Sequence, residues 1–194
     1  MAVEFEIKFR ATPEQQKAIE ATCADAPRLY DMQTTYYDTP GGDLAARKFT
    51  LRRRMENETS VCTLKTPAAG LGRNEFEVNC PVIRQALPQL CQMAGIPELP
   101  KLVANGVLPI CGAKFRRKAI TITRSDCIVE LALDQGILTG GGKEIPLCEI
   151  EVELKDGSRE GAKAYAAMLQ AAFGLIPEKK SKFRRALDLA KGEV

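Results

Sequence analysis

Seven residues near the start of the chain, "VEFEIKF", alternate without a fault: Val3, Phe5, Ile7 and Phe9 against Glu4, Glu6 and Lys8. A period of two puts the apolar side chains on one face of a β-strand and the charges on the other. The pattern recurs along the chain, and it constrains the fold more than any other feature. "KFTLRRRM" sets Phe49, Leu51 and Met55 against Lys48, Thr50, Arg52 and Arg54. "VCTLK" offers Thr63 and Lys65, and "RNEFEV" offers Arg73, Glu75 and Glu77. In "RKAITIT", Ile120 and Ile122 define the apolar face, so Arg117, not Arg116, lies on the polar one. "IVELALD" offers Glu130 and Asp134, and "EIEVELK" offers Glu149, Glu151, Glu153 and Lys155.

The charges are sorted by strand. Like charges at i and i+2 on one face repel and give no stability. Three glutamates in a row, and Glu4 beside Glu6, therefore need a compensating cation. Two glutamate strands brought together make a hard, oxygen-rich site suited to Mg²⁺ or Mn²⁺. Arginines at i and i+2 match the planar geometry of phosphate oxygens. Together these describe a site for a metal-bound polyanion. A single charged face is ordinary solvated sheet. Many of them, poor in neutral polar residues, predict charges turned inward into a water-filled barrel, with the apolar faces packed outward against helices.

Helix signals interrupt the strands irregularly. Thr12-Pro13-Glu14-Gln15 is a capping box with proline at the first turn, predicting a helix to about Ala24. A second helix is expected over 81–95, bent at Pro88. A third runs from the Ser158 cap to Gly174, and "KSKFRRALDLAK" forms a last one. Residues 97–111 give no clear period. The order is α+β rather than alternating βα units, in one domain spanning 1–194.

Composition excludes several chemistries. Histidine is absent, which removes imidazole bases, Ser-His and Cys-His nucleophiles and histidine-ligated metals. The seven cysteines are scattered and form no CxxC pair, so buried thiols are expected rather than disulfides or zinc. With no apolar run of membrane-spanning length and no leader-like N-terminus, a cytoplasmic location is expected. "GILTGGGKE" is not a phosphate loop: Ile137 stands where the first glycine belongs and Glu144 where Ser or Thr belongs, so Gly140–Gly142 reads as a hairpin turn. The basic run "KFRRK" lacks the aromatic partners of a single-strand nucleic-acid binder.

In this order, "EFEIK", "YYDTPGGDL", "TLRRR", "CTLK", "RNEFE", "KFRRKAITI", "VELALDQG", "CEIEVELKDG" and "SKFRRAL" resemble the CYTH family, the triphosphate tunnel metalloenzymes. The resemblance covers nearly the whole chain and leaves only about 95–112 without a motif. It implies a closed eight-stranded antiparallel β-barrel that binds a triphosphate and Mg²⁺ or Mn²⁺. Carried over by position, Glu4, Glu6, Glu149, Glu151 and Glu153 would hold the metal. Lys8, Arg52, Arg54, Lys65, Arg117, Lys182 and Arg185 would grip phosphate oxygens. Glu75, Glu77, Glu130 and Asp134 would support them, with Glu4, Glu6 and Lys8 at the reacting centre and Tyr36 beside Lys8 as a further aid to the attacking water.

The implied activity is hydrolysis of inorganic triphosphate, or of thiamine or nucleoside triphosphates, to release orthophosphate. "LDQG", the Gly-rich hairpin and "EIEVEL" look most like the bacterial inorganic triphosphatase branch. The alternatives are a class IV-type adenylate cyclase and a non-catalytic polyphosphate- or nucleotide-binding module. The expected partner is a small-molecule triphosphate, with no nucleic acid and no membrane; a homodimer is left open.

Overall fold

The alternating segments all become strands of one antiparallel sheet. The computed structural model describes residues 5–68 and 72–193, so Glu4 lies outside the described residues. Strands β1 (Glu6–Arg10), β2 (Arg28–Asp38), β3 (Thr50–Glu56), β4 (Thr59–Pro67), β5 (Arg73–Asn79), β6 (Leu108–Thr123), β7 (Cys127–Gly140), β8 (Lys143–Gly157) and β9 (Ile176–Pro177) lie in the order β5-β4-β3-β2-β6-β7-β8-β1-β9. The helices are α1 (Pro13–Glu20), α2 (Asp43–Ala46), α3 (Ile83–Ala94), α4 (Leu99–Leu102), α5 (Arg159–Phe173) and α6 (Lys182–Lys191).

The sheet has nine strands and is not closed, which corrects the expected eight-stranded barrel. Among the described residues β5 pairs only with β4. At the other end the outer edge of β1 is taken by β9, with Phe9 opposite Pro177 and Arg10 opposite Ile176. Proline has no N–H to donate, so β9 ends the ladder instead of passing it on. The sheet nevertheless curls far enough that β1 and β5 face one cavity.

The apolar faces pack as the alternation requires. Phe9, Ile120, Leu131, Ile150 and Val152 form a core beneath α1 and α5. Leu51, Cys62, Leu64 and Phe76 form another beneath α3 and α4. A third cluster lies on the inner face, where Ala186 and Leu187 of α6 meet Tyr36, Phe115 and Leu138. There α6 sits directly on the β7–β8 hairpin: a Cβ at Gly140 would collide with the Ala186 carbonyl. The hairpin turns at Gly141 and Gly142, whose φ of 58° and 74° select glycine.

Local signals held with adjustments. Thr12 and Gln15 form the capping box, but α1 stops at Glu20, where the Thr22 hydroxyl turns back to the Ile19 carbonyl. Pro88 is inside α3, and Ser158 and Gly174 bound α5. β3 begins at Thr50 because Lys48 is left-handed at φ 60°, which removes Lys48 from the charged face. The patternless stretch holds α4 and the start of β6. All seven cysteines are free thiols; burial pushes Cys62 up to about 11 and Cys111 up to about 12. No helix among the described residues is long and apolar enough to cross a membrane.

Candidate functional site

The inward face of the curled sheet encloses a cavity of about 410 Å³ lined from all eight long strands and the first turn of α6. Its walls differ in charge. Arg52 and Arg54 project from β3, Lys65 from β4 and Arg117 from β6, with Lys182 entering from α6 and Lys8 from β1. Arg53, between the two β3 arginines, points away and donates to the Pro81 carbonyl at 3.2 Å. Sequence periodicity therefore separated the inward arginines from the outward one.

The β3–β5 wall is a cationic surface held open by carboxylates. Glu75 accepts from Arg52 and Lys65, each at 3.2 Å. Glu77 accepts from the Thr63 hydroxyl at 2.9 Å, and Arg54 pairs with Glu56. The Nε atoms of all three β3 arginines are buried without a hydrogen-bond acceptor, and of the three Arg52 and Arg54 line the cavity. Burial, with Arg52 alongside, lowers the Arg54 pKa. Guanidinium groups crowded by like charge along one wall favour an anion in the cavity.

The facing wall is acidic. Register places Glu6 opposite Glu153 and Glu153 opposite Glu130, so three carboxylates stand in a row across β1, β8 and β7. Directly opposed like charges destabilise a sheet, and cations flank this row. Lys8 bonds Glu6 at 2.7 Å, Lys155 bonds Glu153 at 2.8 Å, and Arg28 reaches Glu130 at 3.1 Å. Burial opposes the charge on Lys8, but Glu6, Glu151 and Glu149 outweigh it and hold the ammonium above the ordinary lysine range.

Deeper in, the carboxylates of Asp134, Glu149 and Glu151 converge with ligand atoms within 4.8 Å of one another, close enough to share a metal ion. In this structure a lysine joins them: Lys182 Nζ lies 2.8, 2.6 and 2.7 Å from Asp134, Glu149 and Glu151. Arg117 makes a two-pronged contact with Asp134, both bonds 2.7 Å, and also pairs with Glu151; Arg185 bonds Glu149 at 2.8 Å. Three carboxylates thus meet three cations. Burial, against the pull of Lys182, pushes Glu149 up to about 7. Glu151 moves the other way despite its burial, held well below the carboxylate range by Lys182 and Arg117.

Of the expected site residues that the structure describes, Lys8, Glu6, Arg52, Arg54, Lys65, Arg117, Lys182, Glu75, Glu77, Glu130, Glu151 and Glu153 line the cavity, while Asp134, Glu149 and Arg185 do not line it and join it through Lys182 and its partners. Tyr36 lines the same cavity, but its ring packs on Phe183 with centroids 5.0 Å apart, and burial raises its phenol pKa. Sequence reasoning missed the rest of the β2 lining, Tyr30, Met32 and Thr34. In "YDMQTTYY" both faces mix polar and apolar residues, so alternation has nothing to sort. It also missed Gln16, whose buried amide donates through the outer face to the Asp134 and Glu149 carbonyls at 3.1 and 2.8 Å, and Glu178, buried behind Arg185.

Comparison with known proteins agrees with this geometry. The CYTH domain pattern matches residues 2–187. A curated relative, the inorganic triphosphatase of Haemophilus influenzae, is 32% identical over 166 residues, covering 81% of this chain and 47% of that protein. The chain thus spans about half the length of the curated relative it matches. Among solved structures, a candidate adenylate cyclase from Bacillus halodurans superposes with a TM-score of 0.62 at 20% identity, covering 94% of this chain and 96% of the other. A candidate adenylyl cyclase from Hippeastrum with a dominant triphosphatase activity superposes with a TM-score of 0.64 at 18% identity, covering 100% and 96%. At these identities the two structures establish a shared fold.

Proposed function

The chain belongs to the CYTH domain family, and from that premise and the site's geometry we propose that it hydrolyses inorganic triphosphate with the help of a divalent cation. One observation carries the reading: a single cavity sets a cationic wall against a row of three opposed carboxylates. A chain of phosphates with a bound cation complements both walls.

Glu6, Glu153 and Glu130 offer hard oxygen donors of the kind Mg²⁺ or Mn²⁺ takes, opposed by register rather than drawn together as Asp134, Glu149 and Glu151 are. We assign the cation to them, with Glu4, two residues before Glu6 in the sequence, as a further ligand. A cation bound there would neutralise phosphate oxygens and the charge on the leaving diphosphate. The chain's own groups do the rest. Arg52, Arg54 and Lys65 hold one stretch of the phosphate chain, while Arg117, Lys182 and Arg185 present the opposing donors. Glu149, Glu151 and Asp134 serve to hold those three cations in place. Lys8, kept protonated by Glu6, donates from Nζ to a phosphate oxygen. A water then attacks the terminal phosphorus in line, and diphosphate leaves. Positioning and electrostatics carry most of such a reaction, so the lack of histidine is no obstacle.

Orthophosphate release from inorganic triphosphate and from ATP, each with Mg²⁺, Mn²⁺ or chelator, tests the reading. It predicts faster release from triphosphate than from ATP, lost on chelation and lost in Glu6→Gln. An ATP rate equal to the triphosphate rate, or release that survives chelation, would contradict it.

A further inference from the structure

Glu178 lies between two parts of the site and belongs to neither. It follows β9, is 9% exposed, and its backbone N–H donates to the Lys8 carbonyl at 2.8 Å. Its Oε1 accepts from the Lys180 N–H at 2.9 Å, which sets the approach to α6. Its Oε2 lies 3.0 Å from Arg10 Nε and 3.8 Å from Arg185 Nε. Arg185 in turn donates to Glu149, which holds Lys182. One carboxylate therefore ties the strand carrying Lys8 to the helix carrying Lys182 and Arg185.

We propose that Glu178 is a positioning residue for triphosphate binding, acting through Arg185. Arg185 bridges two anions, and they pull on different atoms: Glu149 on a terminal nitrogen, Glu178 on the Nε side. Without Glu178 the guanidinium keeps Glu149 as its anionic partner and its Nε side loses the charge that helps fix its orientation beside Lys182. Arg10 is the nearer partner at 3.0 Å, but its side chain is 63% exposed against 15% for Arg185, so solvent screens the Arg10 contact more. This inference rests on the triphosphate reading.

Calorimetric titration with inorganic triphosphate and Mg²⁺ tests it, alongside steady-state kinetics. Glu178→Gln keeps the side chain's shape and should weaken affinity by about tenfold, the order expected when a binding group loses its support. KM should rise by that factor while kcat stays within about twofold. The Glu178→Gln/Arg185→Gln double variant should bind no more weakly than Arg185→Gln alone, because coupled residues do not add. Arg10→Ala should stay within about twofold of the unaltered protein. Glu178→Asp, which keeps the charge but withdraws it from Arg185, should show an intermediate loss and serves where the glutamine variant does not fold. Unchanged affinity in both Glu178 variants, or additive losses in the double variant, would overturn the proposal. If the unaltered protein does not bind triphosphate, the reading it rests on falls, and this inference with it.

Discussion

Arg52 and Arg53 are neighbours in sequence with opposite fates, and that makes them the sharpest internal comparison the protein offers. Arg52 lines the cavity beside Glu75, 3.2 Å away, whereas Arg53 does not line it and bonds the Pro81 carbonyl. Triphosphate binds the folded state alone, so at a hundredfold excess over Kd it should stabilise by about 2.7 kcal/mol. For 194 residues the unfolding entropy is roughly 0.4 kcal/mol/K, so the melting temperature should rise by about 7 °C. Removing one charged hydrogen-bond donor costs about 2 kcal/mol, or roughly a thirtyfold loss of affinity. At the same triphosphate concentration Arg52→Ala is then only about threefold above its Kd, and its shift shrinks to about 2 °C. Arg53→Ala should keep the full shift. Differential scanning fluorimetry of the three proteins, with and without triphosphate, gives the comparison. Equal losses in the two variants would refute the assignment of these faces to one cavity.

Two further outcomes follow from the buried charges. Lys182→Met leaves Asp134, Glu149 and Glu151 with two cations in place of three, and breaking a buried pair from one side should cost about 3–5 kcal/mol in urea unfolding; a loss below about 1 kcal/mol would show that the cluster does not depend on this lysine. Glu149, raised by burial from 4.5 to about 7, binds its proton more tightly when folded; its contribution is complete below its unfolded value and lost as pH rises through about 7, so Glu149→Gln should flatten the decline in urea midpoint between roughly pH 5 and pH 8. Parallel profiles for the two proteins would contradict that.

Legibility in the sequence tracked how strongly one face of each strand differs from the other. β1, β3, β5, β8 and the second half of β6 put Glu, Arg or Lys against Phe, Leu, Ile or Val, and their inward residues were readable one by one, down to Arg117 over Arg116. β2 was not, because Tyr30, Met32, Thr34 and Tyr36 do not differ in kind from their outward neighbours. Glu178 and Gln16 carry no periodic signal at all: each matters through a contact across the fold, Glu178 with the Lys8 carbonyl and with Arg185 on the next helix, Gln16 with carbonyls more than a hundred residues away. Barrel closure was illegible for a similar reason. It turns on two residues of β9, Ile176 and Pro177, occupying the edge of β1. Likewise, the metal-ligand pattern in "EIEVE" did not show that Lys182, Arg117 and Arg185 would claim Glu149 and Glu151.

The central claim is that one cavity cuts the terminal phosphate from a chain of three. Phosphorus-31 NMR of inorganic triphosphate incubated with the protein and Mg²⁺ observes that event directly. The account predicts loss of the triphosphate signals with orthophosphate and diphosphate appearing in equal amounts, and no change when Mg²⁺ is chelated. Triphosphate that persists unchanged, beside ATP converted to cyclic AMP and diphosphate without orthophosphate, would contradict it.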